Sequence, residues 1–529
     1  MRQKLILYAV TFVLLICFVS PASATLTGMV TYHNDNGRSG QNKLETILTP
    51  ANVNVAHFGK KFSRSINGIA YAQPLYVAGV TVPNKGTFNV VYVVTEHDSV
   101  YAFDADGRVS TPLWTRSFIN PAAGITPGLG SDLGNFDIGT EIGITGTPVI
   151  DQGSGTIYMV AETKESGTYV QRLHALNIAT GAERAGSPVK IQATVNGTGT
   201  GKDAAGHIAF QPKYESQRPG LLLANGNVYI AWASHGDIGP YHGWVMAYNA
   251  STLQQTAVLN VTRNGAEGGI WQGGAGLSAD GAGLLYLATG NGTTDFNTNW
   301  GNSYLKLNAS LGIIDFFTPF NYVALSNGDL DVGSSGALVL PTQTNTTHPF
   351  ILIGGSKNGT VYVLNRDSLG KFHSGSDSQI IQSFPHLVGR NSVDDQFFGI
   401  PSYWHTNVYF VGAFDHLKQF RMANGLMSTS PIATSPQALA SDRSAEPVIS
   451  ANNGSNGIGW VIATDTLRSS NPAVLHAYNA SNVAIELYNT NQAGTRDQPG
   501  QVIKFSTPTV ANGKVYLITK GRMDVYGLF

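Results

Sequence analysis

Carboxylates, an arginine and a tryptophan recur in this chain at one kind of position, just ahead of short runs that open on glycine or proline. Glu141 precedes the run 146–151, Gln217 and Arg218 precede 219–223, and Trp271 and Gln272 precede 276–278. Asp329 and Asp331 precede 336–340, Asp394 and Asp395 precede 399–403, and Glu446 opens 446–450. Oxygen-rich groups hold hard cations, and an arginine fork matches a carboxylate with two parallel N–H bonds. With a tryptophan face beside them, these residues suit a divalent cation and a planar anionic ligand. Taken singly, each also serves to satisfy an exposed loop or to pair with a neighbour. A second cluster runs from Ser234 to Trp244. His235, Asp237 and His242 are of metal-ligating type, and His235 with Asp237 would make a base and its orienting carboxylate. The glycines at 236 and 243 favour instead a hairpin whose histidines cap turns. The glycine-rich stretch 267–276 lacks the Lys-Ser/Thr of a phosphate loop.

The elements that must carry these residues are announced by a repeat. An alternating apolar run, a Gly or Asn turn, a second such run and a terminal Asp or Asn recur eight times, beginning at 89, 156, 227, 284, 350, 407, 459 and 514. Period-2 alternation rich in Val, Tyr and Ile, bounded by Gly, Asn and Asp, is a strand signature. The closing Asp or Asn falls at 104, 177, 249, 308, 365 and 479, with Arg421 in the sixth copy, so the spacings are 73, 72, 59, 57, 56 and 58 residues. Units of that length suit a four-stranded propeller blade rather than a solenoid turn. A Gly- or Pro-bearing strand ahead of each pair would line the central channel, where a strand start tolerates Pro. The eighth copy ends at Phe529 without an outer strand, and residues 58–65 are expected to supply it and close the ring.

The stretch from Val100 to Gly107 followed by Trp114, with Leu173 to Gly181 in the next copy, resembles the tryptophan-docking repeat of quinoprotein dehydrogenases. More closely, the chain is similar to secreted bacterial PQQ-repeat proteins. The resemblance implies an all-β, eight-bladed propeller in which a turn residue and a Trp tie neighbouring blades. It covers nearly all of the chain after the leader, but the docking Trp is absent from most later copies. A quinone-dependent member would need a cofactor pocket, bound Ca²⁺ and an Asp base. Many members also carry a disulfide of adjacent cysteines, and some a haem. Cys17 is the sole cysteine here and lies in the leader, so neither feature is expected.

Arg2 and Lys4, the apolar run 5–19 and the small residues Ala22, Ser23 and Ala24 read as a signal peptide cleaved after Ala24. Residues 25–529 are then one propeller domain, secreted or periplasmic, with no later stretch apolar enough to span a membrane. With 32 Lys and Arg against 33 Asp and Glu there is no cationic excess for a phosphate backbone, which argues against nucleic acid. Nine Asn-X-Ser/Thr triplets are read as turn chemistry. The expectation is a binding or interaction module for a small molecule, glycan or protein, with candidates Glu141, Arg218, His235, Asp237, Trp271, Gln272, Asp329 and Asp331 at the channel mouth. The alternative is a PQQ- and calcium-dependent oxidoreductase acting on an alcohol or sugar.

Overall fold

A computed structural model describes residues 28–390, 397–441, 443, 445–463 and 471–529. Among the described residues eight mainly antiparallel sheets stand in a ring, two of them with a short parallel edge strand, and a separate two-stranded ribbon joins Thr194–Asn196 to His207–Ala209. Blade 1 shows the plan, running Leu75–Val82, Gly86–Val94, Ser99–Asp104 and Trp114–Ser117 from channel to rim. The innermost strands of blades 2 to 8 are Val149–Asp151, Leu222–Ala224, Ser278–Ala279, Leu338–Val339, Ser402–Trp404, Val448–Asn452 and Thr509–Ala511. Among the described residues the one α-helix is Tyr322–Asn327, and no helix is long and apolar enough to cross a membrane.

Strands such as Asn227–Ser234 are apolar on both faces because both faces are covered. Each of the eight buried clusters lies between two neighbouring blades. One, for instance, joins Tyr158 and Val160 of blade 2 to Ile230, Trp232 and Trp244 of blade 3. The core is thus eight wedges rather than a single centre, and burial of this apolar area is the main force holding blade to blade.

Polar latches set the register of those wedges. The Trp114 indole donates to the Ile178 carbonyl (2.9 Å) and lies over Gly181, where a Cβ would come within 2.5 Å of the ring. A tyrosine of the second strand makes the same reach in five blades, blade 1 included. The hydroxyls of Tyr92, Tyr158, Tyr229, Tyr409 and Tyr516 donate to the carbonyls of Ile178, Ala250, Ala309, Ala480 and Ala105 in the following blade. Those carbonyls follow the Asp or Asn that ends each repeat. The side chain of that residue accepts a backbone N–H two positions on, as at Asp104, Asn177, Asn249, Asn308, Asn365 and Asn479. An Asx turn therefore presents the acceptor that the neighbouring tyrosine reaches.

Phe58–Ser65 pairs antiparallel with Arg522–Leu528, the last strand of the chain, and completes blade 8 as expected. The segment ahead of it does something that the repeat did not reveal. Residues 28–42 travel once around the inside of the ring and hydrogen-bond to the inner edge of every blade in turn. Gly28–Met29 pairs with blade 1, and the Val30 carbonyl accepts from Ile150 of blade 2. Arg38 donates to the carbonyls of Leu221 and Leu277 in blades 3 and 4. The carbonyls of Gly37, Ser39 and Gly40 accept from Val339, Tyr403 and Ile449 of blades 5, 6 and 7. Asn42 donates to Val510 of blade 8 (2.9 Å). Inner edges that would otherwise expose unpaired backbone groups are satisfied by this belt.

Candidate functional site

The loops that lead into the innermost strands, here the inlet loops, meet at one end of the channel. Six blades contribute: Arg218 from blade 3, Trp271 from blade 4, Asp329 and Asp331 from blade 5, Phe398 from blade 6, Arg443 from blade 7 and Phe505 from blade 8 all line one cavity of about 230 Å³. The connections between second and third strands add Asp237 and Tyr241, Asn291, and Lys357. Asp137, from the long insertion ahead of Glu141–Ile142, completes the wall.

Aromatic rings frame this space. Trp271 and Phe398 centroids are 5.9 Å apart, Phe398 and Phe505 6.1 Å, and the Arg218 guanidinium lies 4.2 Å from the Phe505 centroid and 6.0 Å from that of Trp271. The Trp271 indole donates to Asp331 Oδ2 (2.7 Å). Burial pushes the Asp331 carboxyl up to about 7, against the pull of Trp271 and Lys357. Asp329 accepts from Lys357 Nζ (2.7 Å) and Asn291 Nδ2 (2.9 Å), and Asp237 accepts from the Tyr241 hydroxyl (2.8 Å). Asp137 takes an ion pair from Lys504 and faces Arg218 at 3.6 Å. Burial pushes Asp137 up, but Arg218, Lys504 and Arg443 outweigh it and hold the carboxyl below its ordinary range. Burial and Arg218 push the Lys504 ammonium down to about 8.

Beneath the mouth a small void touches Tyr32 of the belt, Tyr71, Thr145, Thr147 and Arg218. Glu446 lies in this depth, accepting from the hydroxyls of Tyr32 and Thr507, and burial pushes its carboxyl up to about 7.

Of the residues singled out in the sequence, Arg218, Asp237, Trp271, Asp329 and Asp331 share the cavity. Of the others that are described, Glu446 bonds to Tyr32 and Thr507 beneath the mouth and the rest are engaged outside the cavity. Glu141 sits in the short strand Glu141–Ile142 with its carboxylate 2.9 and 3.0 Å from His97 Nδ1. Gln272 is fully buried and its Oε1 accepts the Ala288 N–H (2.7 Å). Gln217 donates to the Pro219 carbonyl. His235 is buried 3.7 Å from Glu162, and His242 lies between Thr262 Oγ1 and the Thr200 carbonyl. Residues 234–244 join two paired strands, Asn227–Ser234 and Trp244–Asn249, so the segment is a hairpin, but its histidines face groups outside it rather than capping its turns. Asp394 and Asp395 lie outside the described residues. Phe398, Arg443 and Phe505 occupy the same inlet position, and nothing in their residue types marks them apart from ordinary loop residues in the sequence.

A second cavity, of about 380 Å³, is lined by Asp151, Ser154, Tyr158, Arg184 and Leu253, all from blades 2 and 3. It is larger but draws on two blades only, whereas the mouth gathers polar and aromatic groups from most of the ring. For calcium the mouth is a poor match: its carboxylates already accept from Trp271, Lys357, Asn291 and Tyr241, and among the described residues no three Asp, Glu or His side chains are placed to hold a metal ion.

No family model matches the chain, and no curated protein does. Among solved structures it is similar to a europium-containing methanol dehydrogenase, at 13% identity and a TM-score of 0.62, over 95% of this chain and 98% of that one. It is also similar to the quinohemoprotein alcohol dehydrogenase of Comamonas testosteroni, at 13% identity and a TM-score of 0.59, over 94% of this chain and 80% of that one. A quinohemoprotein alcohol dehydrogenase from Pseudomonas putida HK5 gives 14% identity and 0.58 over 95% and 80%. At such identities the likeness shows the fold alone, an eight-bladed β-propeller like theirs.

Proposed function

We propose that the chain is an exported ligand-binding propeller, released by cleavage after Ala24, whose site is the mouth cavity. The observation that carries this reading is the convergence of inlet loops from six blades on one space that mixes aromatic faces with cations and carboxylates. Concave sites with a few oriented polar groups on a rigid scaffold are where small molecules bind. The test is a thermal-shift screen of small polar ring compounds against the mature protein and Trp271→Ala. A hit that raises the melting temperature of the parent and not of the variant supports the site. Hits insensitive to Trp271→Ala would place binding elsewhere. Sequencing of the exported protein should begin at Thr25.

One observation favours a second reading. Asp331, held near neutrality beside an indole in the mouth, has the protonation range of a general base. An oxidoreductase would show turnover of an alcohol or sugar with PQQ, Ca²⁺ and an artificial electron acceptor, lost in Asp331→Asn. Such turnover would displace the binding-module reading.

A further inference from the structure

The mouth has two unlike poles. On one side Arg218 is 8% exposed, its guanidinium lies over Phe505, and the carboxylate nearest it, Asp137 Oδ2, stands 3.6 Å away, beyond hydrogen-bond reach. A buried guanidinium has five N–H donors in a planar fork, and leaving them without close acceptors costs free energy that a bound oxyanion would recover. Lys504 adds a second cation there, its side chain 13% exposed and paired with the same Asp137. Asp137 itself is 51% exposed on the insertion loop, so it is the easiest member of this trio to withdraw. It stands before the two cations as a carboxylate lent by the chain. Elsewhere on the wall Asp237, Asp329 and Asp331 offer acceptor oxygens, with Asn291 and Lys357 bonded to Asp329. Trp271, Phe398 and Phe505 form a run of rings, Phe505 beneath Arg218 and Trp271 bonded to Asp331.

We infer that the mouth binds a hydroxylated ring bearing a single carboxylate, a hexuronic acid in class, whose carboxylate replaces Asp137 against Arg218 while its hydroxyls turn to Asp237, Asp329 and Asp331. This rests on the mouth being a ligand site, and it adds the ligand's polarity. A neutral hexose would leave the Arg218 fork unmatched. A flat polycarboxylate would turn a further carboxylate towards Asp237, whose oxygens accept and offer an anion no donor. Aromatic faces suit the C–H side of a pyranose, and a cavity of about 230 Å³, below the roughly 300–1,000 Å³ of drug-sized sites, has room for one ring.

The test is calorimetric titration of the mature chain with sodium D-glucuronate, its methyl ester, D-glucose and benzene tricarboxylate. D-Glucuronate should bind at least about tenfold more tightly than the ester or glucose, a gain typical of a charge-assisted bidentate contact, and the tricarboxylate should bind less well than D-glucuronate. Arg218→Gln should erase the preference. Asp137→Asn, on an exposed loop, should tighten D-glucuronate about three- to tenfold by removing the internal competitor, without changing glucose. Equal binding of acid and ester, unchanged or weaker D-glucuronate binding in Asp137→Asn, or preference for the tricarboxylate would overturn the inference. If neutral rings bind in a Trp271-dependent way without charge preference, the inference falls and the mouth remains a ligand site. If none of the four binds parent or Asp137→Asn, and the wider screen yields no Trp271-dependent hit, both fall.

Discussion

Glu96 occupies a fully buried position where its Oε2 accepts from the Gly143 N–H (2.8 Å) and the Thr145 hydroxyl (3.0 Å). Burial pushes its carboxyl up to about 8, with Glu162 adding to the rise. Asp98 nearby is likewise raised well above its ordinary value by burial and by Glu96, Glu162 and Glu141, and neither of its oxygens has a protein donor among the described residues. A carboxyl whose folded value is raised contributes fully while protonated, below the ordinary value of 4.5, and ionisation costs stability as pH climbs towards and through 8. The protein should therefore lose stability from mildly acidic to mildly alkaline pH. Glu96→Gln should recover on the order of a few kcal/mol at pH 8 and change little at pH 5, as read from paired denaturant melts at the two pH values. A variant equally shifted at both would mean that Glu96 is not held neutral. At this scale the sequence supplied phase but not direction. Arg218, Trp271, Asp329 and Asp331 share the inlet position and turn into the cavity. Gln272 shares it and turns inward, since its backbone sits at φ 46° and its amide is taken up by Ala288. Glu141 is drawn off by His97. Such choices depend on a partner distant in sequence, which periodicity does not encode.

At the scale of the element, one docking carbonyl is reached by two kinds of donor. Blade 1 reaches the carbonyl after the next blade's Asx turn with both Trp114 and Tyr92, and in blades 2, 3, 6 and 8 the tyrosine does so without that Trp. Tyr409, fully buried with its hydroxyl 2.6 Å from the Ala480 carbonyl, is a clean test. Tyr409→Phe keeps the ring and removes one bond, and should cost about 1 kcal/mol, read as a lower denaturant midpoint with unchanged slope. Tyr286 differs from its counterparts: its hydroxyl donates to Asp280 (2.9 Å), which also pairs with Arg366 of the next blade (2.9 Å). The aliphatic-Tyr pair in six of the second strands was visible in the sequence as strand alternation. Its latching role was not, because the acceptor carbonyl belongs to the next repeat.

Across the whole molecule, two segments outside the repeat close the ring. Phe58, fully buried, packs on Trp460, Tyr488 and Tyr526, with centroids 5.4, 5.1 and 6.4 Å away, and so ties the outer strand of blade 8 to blade 7. Phe58→Ala should cost about 3–5 kcal/mol, and deletion of 58–65 should lower the melting temperature and promote aggregation through the exposed edge of 522–528. The closing strand could be anticipated because the last repeat was one strand short. The inner belt of residues 28–42 could not, since its bonds run to eight different blades and leave no period in its own residues. Arg38, fully buried and bonded to Thr31 and to the carbonyls of Tyr32, Leu221 and Leu277, is its anchor. Through Tyr32 and Glu446 the belt also forms the floor of the depth beneath the mouth. Hydrogen–deuterium exchange of the mature protein, with and without saturating D-glucuronate or methyl glucoside, tests most directly whether the six inlet loops form one ligand site. Protection by either ligand should be centred on peptides carrying Arg218, Trp271, Asp331, Phe398, Arg443 and Phe505, with the neighbouring Asp237 hairpin. Protection centred on Asp151 and Arg184 at the second cavity, or none in any inlet loop, would contradict the account.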